Sequence, residues 1–407
     1  MRAHINFFIL FSALCFNDAS FAGGPTTIVG NTAVTYQNPA ITVHVENGDL
    51  GIFPNAVAVP LMQEAFDIWS NVNTATISLN IDQTVLDFDV NQDNAETYLP
   101  TVDESNLNEA DGINPIIFDD DGQIIDMYLG AGQSDLIIGF AQSISTTTGS
   151  FFLEGFAVIN GKNTTSENAL KLLLSHEIGH FFGLDHSQVD IDNKEPAPFC
   201  DNINREVYPL MYPIRCRLTV SLHSDDISAV SALYPATDIN DNFGVLEGRF
   251  VDNNNIAILG ANIWAENTIT GETFSIVSDY LLQSTGYYKL LLPAGDYILH
   301  ANSINTEFFD ISAVGPYAST TSDISFSDPH PITAVTYQGI TEGSDEVITI
   351  STNKTNTINF SITGATVIFN NADDDDDSFA DLFGALSQTT LLMMTVLLIF
   401  GRLRLQR

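Results

Sequence analysis

Ser175 to Ser187 reads SHEIGHFFGLDHS, and three of the chain's eight histidines (His176, His180 and His186) fall inside it. On a helix His176 and His180 are four residues apart, so their imidazoles leave one face about one turn apart. Two neutral imidazoles at that spacing suit two corners of a tetrahedral zinc. Glu177 is offset from the pair, so its carboxylate reaches a water at the metal without taking a coordination position. Gly183 permits a positive φ, which ends the helix and turns the chain so that His186 supplies the third corner. Three protein ligands leave the fourth position to water, which marks a catalytic site and not a structural one. A bare H-E-x-x-H arises by chance, but the extended H-E-x-x-H-x-x-G-x-x-H has a mechanical reason at every fixed position.

With those residues in place, His176, Glu177, His180, Gly183 and His186 resemble the zinc signature of the metzincin metallopeptidases. Ser187 directly after the third histidine, and Leu210-Met211-Tyr212-Pro213 downstream, resemble the matrixin branch. Leu222-His223-Ser224-Asp225-Asp226-Ile227, running to Leu233-Tyr234-Pro235, is similar to the closing helix of matrixin catalytic domains. The resemblance implies an α+β catalytic domain over residues 23–237, with a twisted mixed sheet and a zinc-binding active-site helix. It implies Zn²⁺ on the three histidines, Glu177 as general base, Met211 as the methionine turn beneath the metal, and a protein or peptide substrate. Tyr212 follows Met211 directly, unlike the Met-x-Tyr of branches where tyrosine ligates zinc, so no ligand role is assigned to it. The wall that runs Pro-x-Tyr in animal matrixins is Pro213-Ile214-Arg215 here, and Arg215 would favour acidic or polar groups in the pocket after the scissile bond. No cysteine lies between Gly23 and Cys200, so the cysteine-bearing prosegment of animal matrixins has no counterpart.

A length of 407 residues implies two or three domains, and 44% hydrophobic content supports folded structure. The formal charge of −38 argues against nucleic acid or anionic surfaces as partners, since both would be repelled. Residues 1–22 read as a secretory signal peptide, with Arg2, an apolar run from Phe7 to Phe16, and small residues at Ser20 and Ala22. Cys15 lies in that leader, which leaves Cys200 and Cys216. A bridge between them would close a loop around Met211, worth roughly 3 kcal/mol in the chain-entropy model and compatible with export. Two buried free thiols are the other reading.

Alternation predicts a strand over Ile41–Val45, and Leu61, Ala65, Ile68 and Trp69 recur on one face of a helix whose first turn Pro60 suits. Another strand follows over Thr76–Ile81, and the acidic stretch from Asp82 to Asp111 reads as a surface insertion. Asp119 and Asp121 precede Gly122, so either a Ca²⁺ loop or a solvated turn is expected there, without the full EF-hand pattern. Phe151–Asn160 resembles the family's edge strand, to which an extended substrate adds as a further strand. Thr164 with Glu167 suggests a capping box, and Ala169, Leu172 and Leu173 give the following helix an apolar face.

After Pro235, glycine-punctuated alternating runs predict an all-β sandwich. Residues 238–302 are similar to carboxypeptidase regulatory-like modules, through Leu292-Pro293-Ala294-Gly295-Asp296-Tyr297. Residues 303–371 extend that module or form a second one. An acidic linker over 372–381 precedes a tail, 382–407, with no charge from Leu382 to Gly401 and then Arg402, Arg404 and Arg407. Such a run is long enough for a transmembrane helix, with the basic end cytoplasmic. The order resembles the sorting tails of exported Gram-negative proteins, although their Gly-Gly or Pro-Glu-Pro signature is missing, so anchoring in the membrane and removal of the tail both stand. The competing class is a surface-anchored binding or adhesion protein on an inactive metallopeptidase fold; the intact Glu177 tells against it.

Overall fold

Alternating apolar residues build the first sheet. After a separate two-stranded ribbon of β1 (Ile28–Val29) and β2 (Thr32–Ala33), its strands begin with β3 (Thr35–Tyr36), β4 (Ala40–Val45) and β5 (Ser78–Asp82), with helix α1 (Asn55–Ser70) between the last two. Then come β6 (Pro115–Asp119), α2 (Gln123–Leu129), β7 (Gly139–Ser145), β8 (Phe151–Asn160), α3 (Glu167–Phe181), α4 (Ser224–Leu233) and α5 (Ile239–Asn242). The computed structural model describes residues 24–99, 111–145, 149–187, 200, 205–304, 332, 334–340 and 344–369. The order in the main sheet is β3-β8-β6-β4-β5, all parallel, while β7 runs antiparallel along β8.

One face of this sheet packs against α1 and α3. Leu61, Met62, Phe66 and Trp69 from α1, and Leu170, Leu174, Ile178 and Phe181 from α3, meet Ile41, Val43, Ile116 and Ile159 from the strands. Trp69 also donates its indole N–H to the carbonyl of Ser175 at 2.9 Å, tying α1 to the turn of α3 that carries His176. Helix α1 begins a turn earlier than Pro60 suggests. Its first residue is Asn55, whose amide is held by Asp49 Oδ1 at 2.9 Å, so Pro60 lies inside the helix. The cap of α3 is Ser166, which accepts from Ala169 N, whereas Thr164 donates its hydroxyl to Asn160 O; the expected Thr164–Glu167 box does not form.

The opposite face changes two expectations. Val90, Ala95 and Leu99 cover Ile117, Phe156 and Val158, so the described part of the acidic stretch (82–99) is a packed layer and not a surface insertion. Its spacing is irregular because loop segments and one short 3-10 turn (Ala95–Thr97), not a long helix or a strand, supply the cover. The second correction is β8, which is paired by strands along its length; the strand antiparallel to its neighbour is β7, with no further strand beyond it among the described residues.

A second core is all β. Strands β9 (Phe243–Val251), β10 (Ala261–Asn267), β11 (Thr273–Val277), β12 (Tyr287–Pro293) and β13 (Gly295–Ser303) are followed by β14 (Val335–Thr336), β15 (Val347–Ile350), β16 (Thr355–Thr357) and β17 (Phe360–Ser361). One sheet runs β11-β10-β13-β14 with β15 on β13; the other runs β12-β9-β16 with β17 on β9. Leu246, Phe250, Ile263, Leu290, Leu292, Leu299, Ile350 and Phe360 fill the space between them. Strands β15–β17 therefore belong to the same two sheets as β9–β13. The whole is a mixed α/β protein with several sheets and few helices. No helix among the described residues is long and apolar enough to cross a membrane. The leader (1–22), the acidic linker (372–381) and the tail (382–407) lie outside the described residues.

Candidate metal centre

Helix α3 presents His176 and His180 one turn apart, and the chain then leaves the helix at Gly183, whose φ is +87°. A Cβ at Gly183 would stand 2.7 Å from the ring of Phe152, so both backbone and space demand glycine. The turn brings His186 back. The three Nε2 atoms converge, with separations of 3.2 Å (His176–His180), 3.1 Å (His180–His186) and 3.3 Å (His176–His186).

The far side of each helical ring is fixed. His176 Nδ1 lies 2.8 Å from Leu210 O, and His180 Nδ1 lies 2.8 Å from Leu184 O. A carbonyl only accepts, so both Nδ1 atoms carry the proton and both Nε2 atoms present a lone pair. Lone pairs gathered this closely repel one another unless a cation lies between them. Corners of a tetrahedron about 2.0–2.1 Å from a zinc ion are roughly 3.3 Å apart, which matches the observed separations. Burial pushes the pKa of His176 down and that of His180 well down, the latter with help from its two histidine neighbours, so both rings are neutral and ready to ligate. These three residues could hold a metal ion; no other group of three or more His, Cys, Asp or Glu ligands comes together among the described residues.

Glu177 is buried on the same helix, and loss of solvation alone raises its carboxyl to about 8. Space for it comes from Gly139 at the start of β7. A Cβ there would lie 3.1 Å from the Glu177 carboxyl carbon and from its Oε1.

Beneath the histidines, Met211 is buried against α3 at Gly179, where a Cβ would run into the Met211 sulfur. Asp226 holds the turn that carries Met211. Its carboxylate accepts from Leu210 N (2.8 Å), Met211 N (3.0 Å) and His223 N (2.8 Å). Leu210 in turn accepts from His176, so one buried carboxylate is two bonds from a candidate ligand. Ser187 N donates to Met211 O at 2.7 Å, which closes the loop on the His186 side. Tyr212 points into a separate cluster with Tyr208, Cys216, Val277 and Ile304.

Cys200 and Cys216 are joined by a disulfide with 5.0 Å between Cα atoms, so the segment around Met211 is stapled at its base. Asp119 and Asp121 are not brought into a ligand cage. Asp119 accepts from Ile124 N and Ile125 N, and Asp121 accepts from Gln123 through backbone and side chain, so both carboxylates serve the start of α2.

Beside His176 a shallow cleft, open to solvent, runs between α3 and the segment after Met211. Leu172, Leu173, Leu210, Pro213 and Ile214 make it apolar, and Arg215 is exposed on its lining. Gly139, Gly179 and the role of Asp226 were beyond sequence reasoning. The adjacent pair Asp225-Asp226 carried no signal of this, because acidic residues in the first turn of a helix are favourable without buried partners. No protein-family model matches the chain, and no curated protein matches it.

Proposed function

We propose that the chain is an exported zinc endopeptidase, similar in its signature to the matrixin branch of the metzincins. The observation that carries this reading is the convergence of three imidazole Nε2 atoms beside a buried carboxylate carried by α3. His176, His180 and His186 would hold the ion. When bound, zinc supplies a Lewis acid for a peptide carbonyl and brings the pKa of a water towards neutrality.

The remaining work belongs to the chain's own residues. Glu177 takes the proton of the attacking water on its carboxylate and returns it to the departing amine nitrogen. The Leu210 and Leu184 carbonyls hold the His176 and His180 rings in one tautomer throughout. Met211 packs under the helix without ligating. Strand β7 starts at Gly139, beside Glu177, and its outer edge offers backbone groups to an extended peptide. The cleft between α3 and Pro213-Ile214 receives the side chain after the scissile bond, with Arg215 favouring polar or acidic groups there. Export would follow from the leader at 1–22, and attachment or sorting from the tail at 382–407.

Hydrolysis of casein and quenched peptides by the full chain, with and without a zinc chelator, tests this. Activity should vanish with the chelator and return with stoichiometric zinc. Activity indifferent to the chelator, or none from fully loaded protein across a broad peptide library, contradicts it; the second result favours the binding-protein class.

A further inference from the structure

Helix α4 faces two ways. Asp226 points at the methionine turn, as described above. Its neighbour Asp225, also buried, points at the β-sandwich, where its Oδ1 accepts from the backbone N–H of Ser275 at 2.7 Å. The other oxygen, Oδ2, accepts from the Ser187 hydroxyl, and the Ser187 and Ser275 hydroxyls are 3.3 Å apart. Ser187 directly follows the metal-site residue His186. Flanking bonds complete the contact: Ser224 Oγ donates to Glu272 Oε1, and Ser228 Oγ donates to Leu291 O at 2.6 Å.

The placement of these partners is informative. Ser275 lies on β11 and Leu291 on β12, the edge strands of the two sheets. The helix thus closes the open side of the sandwich, and Asp225 takes an edge N–H that no ladder satisfies. Two residues further along β11, Val277 joins the cluster that contains Tyr208, Tyr212 and Cys216. The same strand therefore meets the chain both next to His186 and at Cys216.

We propose that the β-sandwich is a positioning element of the metal centre: the Ser275 N–H, acting through Asp225 and Ser187, fixes the segment that carries His186. The proposal rests on the three-histidine reading of that centre. It makes the second lobe part of the site's construction and not an appended module.

Zinc affinity of the full chain, measured by competition with a chromogenic chelator, tests it. Ser275→Pro removes the N–H; the β10–β11 ladder survives because this N–H points away from it. Ser275→Ala keeps the N–H. Ser187→Ala cuts the same path from the other end, at a residue outside the sandwich. Leu292→Ala, in the sandwich interior, loosens that lobe without touching the path. Ser275→Pro and Ser187→Ala should weaken zinc binding on the order of tenfold, the scale of outer-shell changes at metal sites. Ser275→Ala, and Leu292→Ala at a temperature where it is fully folded, should bind as the wild type does. Unchanged affinity in both Ser275→Pro and Ser187→Ala overturns the proposal alone, as does an equal loss in Leu292→Ala. A wild type that takes up no zinc overturns the metal-centre reading and this inference with it.

Discussion

At Gly179 an added Cβ would meet the Met211 sulfur and stand 3.1 Å from Trp69 Cζ2. Neither neighbour has room to yield, since Trp69 and Met211 are both buried in the same core. Gly179→Ala should therefore cost about 1–3 kcal/mol, the usual penalty of overpacking, despite the better helix propensity of alanine. Denaturant unfolding of the variant checks this, and a stabilised variant would contradict it. The five positions of the zinc signature were legible because each obeys a local rule of helix geometry or turn chemistry. Gly179 was not, because its reason lies in a methionine more than thirty residues away that only the fold brings under it. Asp226 is the same case in two of its three bonds: the His223 amide is its local capping-box partner, but the Leu210 and Met211 amides come from a segment whose approach no spacing announces.

Among the elements, strand β4 is followed directly by Glu46, which is fully buried. Its carboxylate accepts from Phe118 N at 2.6 Å, Val90 N at 2.5 Å and Gly48 N at 3.3 Å, fastening the loop layer of the second sheet face to β4 and β6. Burial outweighs those amides and raises its pKa from 4.5 to about 7. The folded state thus holds this proton more tightly than the unfolded chain does. The contribution is complete below about pH 4.5 and is lost as pH rises through about 7. Relative to Glu46→Gln, the wild type should lose up to about 3 kcal/mol over that window. Unfolding of both proteins across it, without zinc, measures the difference, and a gap that stays constant with pH would sink the idea. Strands and helices with regular apolar periods, such as β4, α1 and α3, were readable in sequence. The layer over 82–99 was not, because its four buried apolar residues, Leu86, Val90, Ala95 and Leu99, are scattered among acidic and polar neighbours with no sustained period.

For the molecule as a whole, the two apolar cores share a boundary. Helix α4 bonds to both edge strands of the sandwich, and the cluster of Tyr208, Tyr212, Cys216, Val277 and Ile304 draws on both lobes. Buried contacts of this kind couple unfolding, so a single calorimetric transition is expected for the two cores. Two well-separated transitions would show that the lobes are independent. The sequence pointed to both lobes but not to their union, since the joining groups are a backbone N–H and scattered serines. The measurement that bears most directly on the proposed chemistry is peptide hydrolysis by wild type and Glu177→Gln at equal, stoichiometric zinc loading. A zinc peptidase using Glu177 as its base should lose on the order of 10²–10⁴-fold in turnover in the variant while retaining its metal. Equal turnover in the two proteins would remove Glu177 from the mechanism and, with it, the peptidase reading of the site.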